Sequence, residues 1–296
     1  MSARSAAKGV SDVIGGRFIT LPIPQGDFSG RTVIVTGSNQ GLGFEASKHL
    51  VRLGVERLIM GVRTISKGEA AREELLKSAG TKTPPIIEVW QIDMEDYESV
   101  KSFAARAAGL PRLDALLANA GLASSTFTKV AGHERNLTVN VVSTFLLCLL
   151  LVPKMRESAA ATGVTPRVSI PNSALHYTAP IKELDPSTEI FATLDNPDKA
   201  NMGARYPLSK LLVIYIIREL VKRLEQTKAP TVIFNTPNPS YCKSQLMRET
   251  PASLGVRVFE KLLARETEEG SRTLVDGLSK GEESNGQYLN NCHVQE

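Results

Sequence analysis

The chain has 296 residues, of which 42% are hydrophobic and 22% charged, and a formal net charge of +4. That composition is ordinary for a globular protein with a sizeable core, and its Lys and Arg are scattered among acids, which sets nucleic-acid partners aside. Three cysteines, Cys148, Cys242 and Cys292, match neither a disulfide framework nor zinc-ligand spacing. They read as free thiols of a reducing compartment, and no metal is expected.

Residues 1–30 are rich in Gly, Ser and Pro without a period, and are expected to form an N-terminal extension over the domain. They lack the apolar stretch of a signal peptide. The most apolar run, Phe145–Val152, is shorter than the roughly 20 residues of a membrane span and reads as a buried helix. A cytoplasmic location without a membrane span is the expectation.

From Arg31 onward, short apolar runs alternate with amphipathic stretches. Strands are expected at Thr32–Thr36, Arg57–Val62, Ile86–Asp93, Leu113–Asn119, Arg167–Ile170, Thr231–Asn235 and Gly286–Leu289. Helical patterns such as Gly43–Leu53, Lys67–Ser78 and Val100–Ala107 lie between them. This alternation predicts one α/β domain over residues 31–296, a doubly wound Rossmann-type fold with a mainly parallel sheet of about seven strands. The stretch between Pro171 and Tyr206 has no clear period and carries Pro180, Pro186 and Pro197. A long irregular segment inside a compact domain reads as a lid or binding loop.

The first strand runs into Gly37-Ser38-Asn39-Gln40-Gly41-Leu42-Gly43 before a helical pattern. Glycines there let the backbone approach a pyrophosphate, which sits on the free N–H groups of the helix N-terminus. The second strand ends in Val62 and Arg63, where NAD-binding versions of such folds place a carboxylate on the ribose. A guanidinium pairs instead with a 2′-phosphate, so NADP(H) is the expected cofactor. Tyr206 and Lys210 are four residues apart and share a helix face. A tyrosine can donate a proton to a carbonyl oxygen, and a nearby lysine cation lowers its pKa. A second pair of the same spacing, Tyr97 and Lys101, reads as a solvated helix face.

The Thr-Gly-x-x-x-Gly-x-Gly spacing, Asn119-Ala120-Gly121, Asn140, Ser173 and Tyr206-x-x-x-Lys210 occur in the order seen in the short-chain dehydrogenase/reductase family. The chain resembles that family over roughly Ser29 to Asn291, and fungal retinol-dehydrogenase-like members above all. The resemblance implies a catalytic set of Asn140, Ser173, Tyr206 and Lys210, with Asn140 holding a water that links Lys210 to solvent. It implies adenine binding at Asp93 and Met94, and sheet bracing beside the cofactor by Asn119, Ala120 and Gly121. It further implies cofactor contacts at Pro239, Ser240 and Ser244, from Tyr206 and Lys210 themselves, and dimers through the Tyr206 helix.

Three features depart from the family pattern. Pro171 stands in the fifth strand, where a proline cannot donate to the ladder. Ser240 stands where the family has glycine, and a serine has less access to positive φ. The chain ends at Glu296, where relatives often continue. Three functions therefore stay open: a carbonyl–alcohol oxidoreductase on a small lipophilic substrate, a biosynthetic enzyme doing isomerisation or cyclisation on the same fold, and a non-catalytic cofactor-binding protein.

Overall fold

A computed structural model describes residues 7–9, 11–12, 15–16, 19–78, 84–185, 187, 189–243, 246 and 264–295. The main sheet contains β1 (Thr32–Thr36), β2 (Arg57–Val62), β3 (Ile86–Gln91), β4 (Ala115–Leu117), β5 (Arg167–Ser169), β6 (Ile233–Asn238), β7 (Gln287–Asn290) and β8 (His293–Gln295). Their order is β8-β7-β6-β5-β4-β1-β2-β3. All neighbours are parallel except β7 and β8. Chain direction across the sheet reverses between β1 and β4, the switch point at which such folds open a crevice for ligands.

Every residue of β1 is buried and apolar or Thr, as expected of a strand covered on both faces. One face is covered by α1 (Gly41–Arg52), α2 (Ile65–Ser78) and α6 (Thr267–Ser279), the other by α3 (Tyr97–Ala108), α4 (Thr144–Thr162) and α5 (Met202–Glu225). Leu50 of α1 and Leu274 of α6 share one core with Val33 and Val35. Phe103, Leu147 and Ile217 share the other with Ile34 and Leu116. Each such fully buried side chain stabilises the fold by about 1.5–3 kcal/mol. On the edge-ward strand β3, Trp90 packs edge-on against Phe103 with ring centroids 5.5 Å apart.

The helix around Phe145 is longer than its apolar run. A π-helical turn, Thr138–Ser143, leads into α4 without a break. The helical run Arg135–Thr162 is long and apolar enough to cross a membrane, yet 72% of its most apolar window is buried inside the fold. Apolar all round and packed against α3, it is a core helix. Residues 19–31 lie along α1 and α6: Leu21 and Phe28 are buried, Arg52 donates to the Pro24 carbonyl at 2.8 Å, and Arg272 donates to the Leu21 carbonyl at 2.7 Å.

Among the described residues the sheet has eight strands, close to the seven or so expected. The additional β8 folds back through Asn291 and Cys292, both at positive φ, so no glycine or proline marks that turn. The fifth strand ends at Ser169, before Pro171. Pairing toward β6 nevertheless continues, through Ile170 N–H to Asn235 O at 3.0 Å and Asn172 N–H to Pro237 O at 2.8 Å. Residues in a parallel strand address its two neighbours alternately, so Pro171 faces the side where β4 has already stopped. Its missing N–H removes no bond to β6.

Candidate active site

The glycine turn lies at the C-terminal end of β1, over the switch point. Asn119, just past β4, donates to the Thr36 carbonyl at 3.0 Å and the Gly37 carbonyl at 3.2 Å. Ala120 N–H donates to Thr36 Oγ1 at 3.0 Å. Gly43 must be glycine: a Cβ there would stand 2.4 Å from Asn119 Nδ2 and 2.5 Å from the Gly37 carbonyl. Gly41, at φ +61, has no atom within 4 Å of where its Cβ would be. Helix α1 begins there, its N-cap Gln40 makes no side-chain cap bond, and its first turn carries no acid. Ser38 Oγ is buried without a partner. An uncapped helix end, an open cradle and an orphaned hydroxyl fit an anionic phosphate group.

Around this turn, Arg63 follows β2 and is 53% exposed, 3.6 Å from Glu95 Oε1. Glu95 is held more closely by Arg135, through Nε at 2.9 Å and Nη2 at 2.8 Å, which leaves Arg63 loosely tied. Asp93 accepts from Glu95 N–H at 2.9 Å, and the Met94 carbonyl accepts from Ser143 Oγ at 2.6 Å. Gly121 abuts Asn140, whose Oδ1 lies 3.2 Å from a Cβ built on that glycine.

At the ends of β5 and β6, the remaining candidates converge. Asn140 lies within the π-helical turn, a wide turn frequent at functional sites. Its Nδ2 donates to the Leu122 carbonyl at 2.8 Å and to Ser209 Oγ at 3.1 Å, and its Oδ1 accepts from Leu122 N–H at 3.0 Å. The side chain thus braces the loop after β4 against α5. Lys210 Nζ donates to the Pro171 carbonyl at 2.7 Å and lies 5.6 Å from the centre of the Tyr206 ring. The Ser173 side chain lies beside the Tyr206 hydroxyl and acts to lower its pKa, while Ser173 Oγ accepts from Leu175 N–H at 3.2 Å. Beyond β6, Ser240 adopts φ +64, the conformation expected of the glycine it replaces, and Pro239 O accepts from Cys242 Sγ at 3.1 Å. Ser244 falls outside the described residues.

A family profile described as short chain dehydrogenase matches residues 31–165. Short chain dehydrogenase atnD of Emericella nidulans is 42% identical over 285 residues, covering 95% of this chain and 90% of that protein. The chain belongs to the short-chain dehydrogenase/reductase family. Two further relatives agree. Short chain dehydrogenase/reductase dmxR8 of a Cryptosporiopsis species is 42% identical over 94% of this chain and 86% of its own length. Short chain dehydrogenase sol3 of Alternaria solani is 38% identical over 94% and 95%. The Pseudomonas aeruginosa RhlG/NADP active-site complex shares the fold of this chain with a TM-score of 0.67, at 19% identity over 89% of this chain and 95% of that one.

Burial sets the acid–base character of Tyr206 and Lys210. It pushes the Tyr206 hydroxyl up to about 12, against a hydrogen bond with Ser173 that pulls it down. It pulls the Lys210 ammonium down to about 8. The lowering of Tyr206 expected from its lysine is not seen here: desolvation dominates, and the Lys210 ammonium is turned toward the Pro171 carbonyl. At neutral pH Tyr206 is protonated and can give a proton. The competing pair differs from expectation as well. Lys101 is exposed and paired with Glu98 at 2.7 Å, but Tyr97 turns its hydroxyl into the protein rather than to solvent.

Two residues outside the expected set complete the architecture. Buried Asn172 donates to the Lys210 carbonyl at 3.1 Å and to Thr236 Oγ1 at 3.0 Å, and accepts from Ser173 N–H at 2.8 Å. It welds the strand end carrying Ser173 to the helix carrying Lys210. Arg265, fully buried, donates to Ser240 Oγ at 3.1 Å. Asn172 stands beside Ser173, but its role comes from burial, which that position does not signal. Arg265 has no local signal, because its partners are remote in sequence.

Proposed function

We propose that this chain is an NADP(H)-dependent oxidoreductase that interconverts a carbonyl and an alcohol on a small lipophilic substrate. The observation that carries the reading is the meeting of Ser173, Tyr206 and Lys210 at the ends of β5 and α5, beside the switch point where the glycine turn lies. The residues proposed to hold the cofactor are the turn Gly37 to Gly43, Arg63, Asp93, Met94, Asn119, Ala120, Gly121, Tyr206, Lys210, Pro239 and Ser240. Ser244 completes the set by resemblance alone. When bound, the nicotinamide group supplies or accepts a hydride.

The chain's own residues supply the rest. The Tyr206 hydroxyl donates its proton to the carbonyl oxygen during reduction and takes it back in the reverse direction. Ser173 Oγ donates a hydrogen bond to that same oxygen and holds its developing charge. Lys210 places positive charge near the phenolate left behind, and Asn140 holds the water through which the proton is replaced. Arg63, loosely held by Glu95, would form a charge-assisted pair with a 2′-phosphate. NADP named with the Pseudomonas aeruginosa complex, and 5-hydroxy-NADP named with an alcohol dehydrogenase of the archaeon Thermococcus sibiricus, agree with this cofactor. A cytoplasmic location and a place in specialised biosynthesis belong to the same proposal. Exposed Leu149 and Leu150 on α4 and Tyr215 on α5 support a homodimer through those helices.

The test follows NADPH absorbance against a panel of ketones and aldehydes. Tyr206→Phe is expected to lower turnover by about a hundredfold or more, with NADPH binding close to wild type. Tyr97→Phe leaves turnover unchanged. Damage from Tyr97→Phe, or activity surviving in Tyr206→Phe, overturns the assignment. Substrate conversion without NADPH oxidation points to isomerisation or cyclisation instead.

A further inference from the structure

Ser240 holds a backbone conformation that costs a serine more than a glycine, and something must hold it there. Asn238 Oδ1 accepts its N–H at 3.0 Å. Ser240 Oγ also donates to Asn291 Oδ1 at 3.5 Å, and a further restraint comes from Arg265, whose guanidinium is fully buried. Its Nη1 donates to Ser240 Oγ at 3.1 Å. Its Nη2 donates to the Ile19 carbonyl at 2.7 Å and also to the Gly16 carbonyl. Nε lies 3.7 Å from Glu269 Oε1 at the start of α6. The Arg265 backbone pairs with the same loop, donating to Tyr241 O at 2.8 Å and accepting from Lys243 N–H at 3.0 Å. A buried guanidinium is costly unless its donors are engaged, so it locks its partners together. Those partners are the loop after β6 and the N-terminal segment.

The N-terminal segment also touches the other rim of the site. Gly9 fits against the turn that follows Ser173: a Cβ there would stand 3.1 Å from the Ala174 carbonyl and from Tyr177 Cβ. Gly16 is equally tight against the β6 loop, its notional Cβ 2.8 Å from Ser240 Oγ and 3.1 Å from Ser240 Cβ. From these contacts we infer that the N-terminal segment is a brace of the active site, and that Arg265 is a positioning residue that fixes the Pro239–Ser240 loop through Gly16 and Ser240. The inference rests on the proposed function, in which Pro239 and Ser240 hold the cofactor.

The test is a cycle in the full-length protein. Gly16→Ala adds one methyl group against Ser240, whereas Ser240→Gly removes the atoms it meets. Misplacement on the order of 1 Å at a reacting centre costs about a hundredfold, so a shift of a few tenths of an ångström in Gly16→Ala should lower kcat roughly tenfold. Hydrogen exchange at the Lys243 and Arg265 amides should speed up in the same variant, without cofactor present. In the Ser240→Gly background, adding Gly16→Ala should produce neither effect. Arg265→Met serves as a harsher variant; if it does not fold, the Gly16–Ser240 cycle decides alone. Unchanged kcat in Gly16→Ala, or an equal penalty in both backgrounds, overturns the brace. Faster exchange with unchanged NADPH affinity and kcat overturns its functional role. Failure of the wild type to bind NADPH overturns the cofactor reading, and is told apart because the exchange measurement needs no cofactor.

Discussion

Arg63 is the side chain on which the proposed preference for NADP(H) turns. Its nearest carboxylate, Glu95, is already engaged by Arg135 at 2.8 and 2.9 Å, so a 2′-phosphate need not compete with a tight ion pair. A charge-assisted bond is worth about 1.5–3 kcal/mol, or roughly one to two orders of magnitude in affinity. Titration of both cofactors into wild type and Arg63→Ala should therefore show a loss of that size for NADPH and little for NADH. Equal losses for both would mean that Arg63 does not meet the phosphate. At this scale the candidate site was legible where chemistry needs a residue type at a fixed spacing, as with Tyr206, Lys210 and the glycine turn. It was not legible where a role comes from burial. Asn172 and Arg265 act because packing removes water from them, and packing is not written in their neighbours. Pro171 was read as a defect for the same reason: only the sheet register reveals that its missing N–H faces no partner on β6.

Among the elements, the segment between Ser173 and α5 is irregular as expected, yet firmly tied. It folds as short turns, Ala174–Thr178, Ile181–Leu184, Ile190–Leu194 and Pro197–Lys199. Asp195 is its anchor: Oδ2 meets His133 Nδ1 at 2.6 Å and Oδ1 accepts from Glu134 N–H at 2.7 Å. Leu194 is buried with Leu208 and Leu211 of α5. Asp195→Ala should free this segment from the two-stranded hairpin of Lys129–Val130 and His133–Glu134 without reaching Tyr206 or the glycine turn. The expected result is a raised KM for the carbonyl substrate with NADPH affinity unchanged; a loss confined to kcat would place Asp195 nearer the chemistry. Sheet order was legible because successive apolar runs separated by helices admit few topologies. The eighth strand was not, since Asn291 and Cys292 make its turn without the usual glycine.

For the whole molecule, buried acids govern the response to alkali. Burial pushes Cys148 from its ordinary 9.0 to about 12, and Tyr206 from 10.0 to about 12. Between those values the folded protein keeps protons that the unfolded chain has released, so stability falls as pH rises through the window. Lys210 acts oppositely: its folded pKa is about 8 against an ordinary 10.5, so unfolded chains hold the extra proton between those values and stability rises there. The buried thiols Cys242 and Cys292, also pushed up to about 12, add to the first effect, which should prevail above pH 9. Urea midpoints measured from pH 7 to 11 should decline beyond pH 9. Cys148→Ala should start lower, because it leaves a small cavity, yet decline less steeply. An equal slope in both proteins would show that Cys148 does not contribute.

The protein has one tryptophan, and its setting makes it an optical gauge. Trp90 is 3% exposed, with Phe103 at its edge and the Arg106 guanidinium 3.9 Å above its ring. Both neighbours belong to α3, so its emission reports the seam between that helix and the sheet edge. Emission that shifts to the red together with the loss of helical circular dichroism on heating would show that this edge melts with the rest. A shift at lower temperature would show that the seam opens first, while the ends of β5 and β6 stay closed.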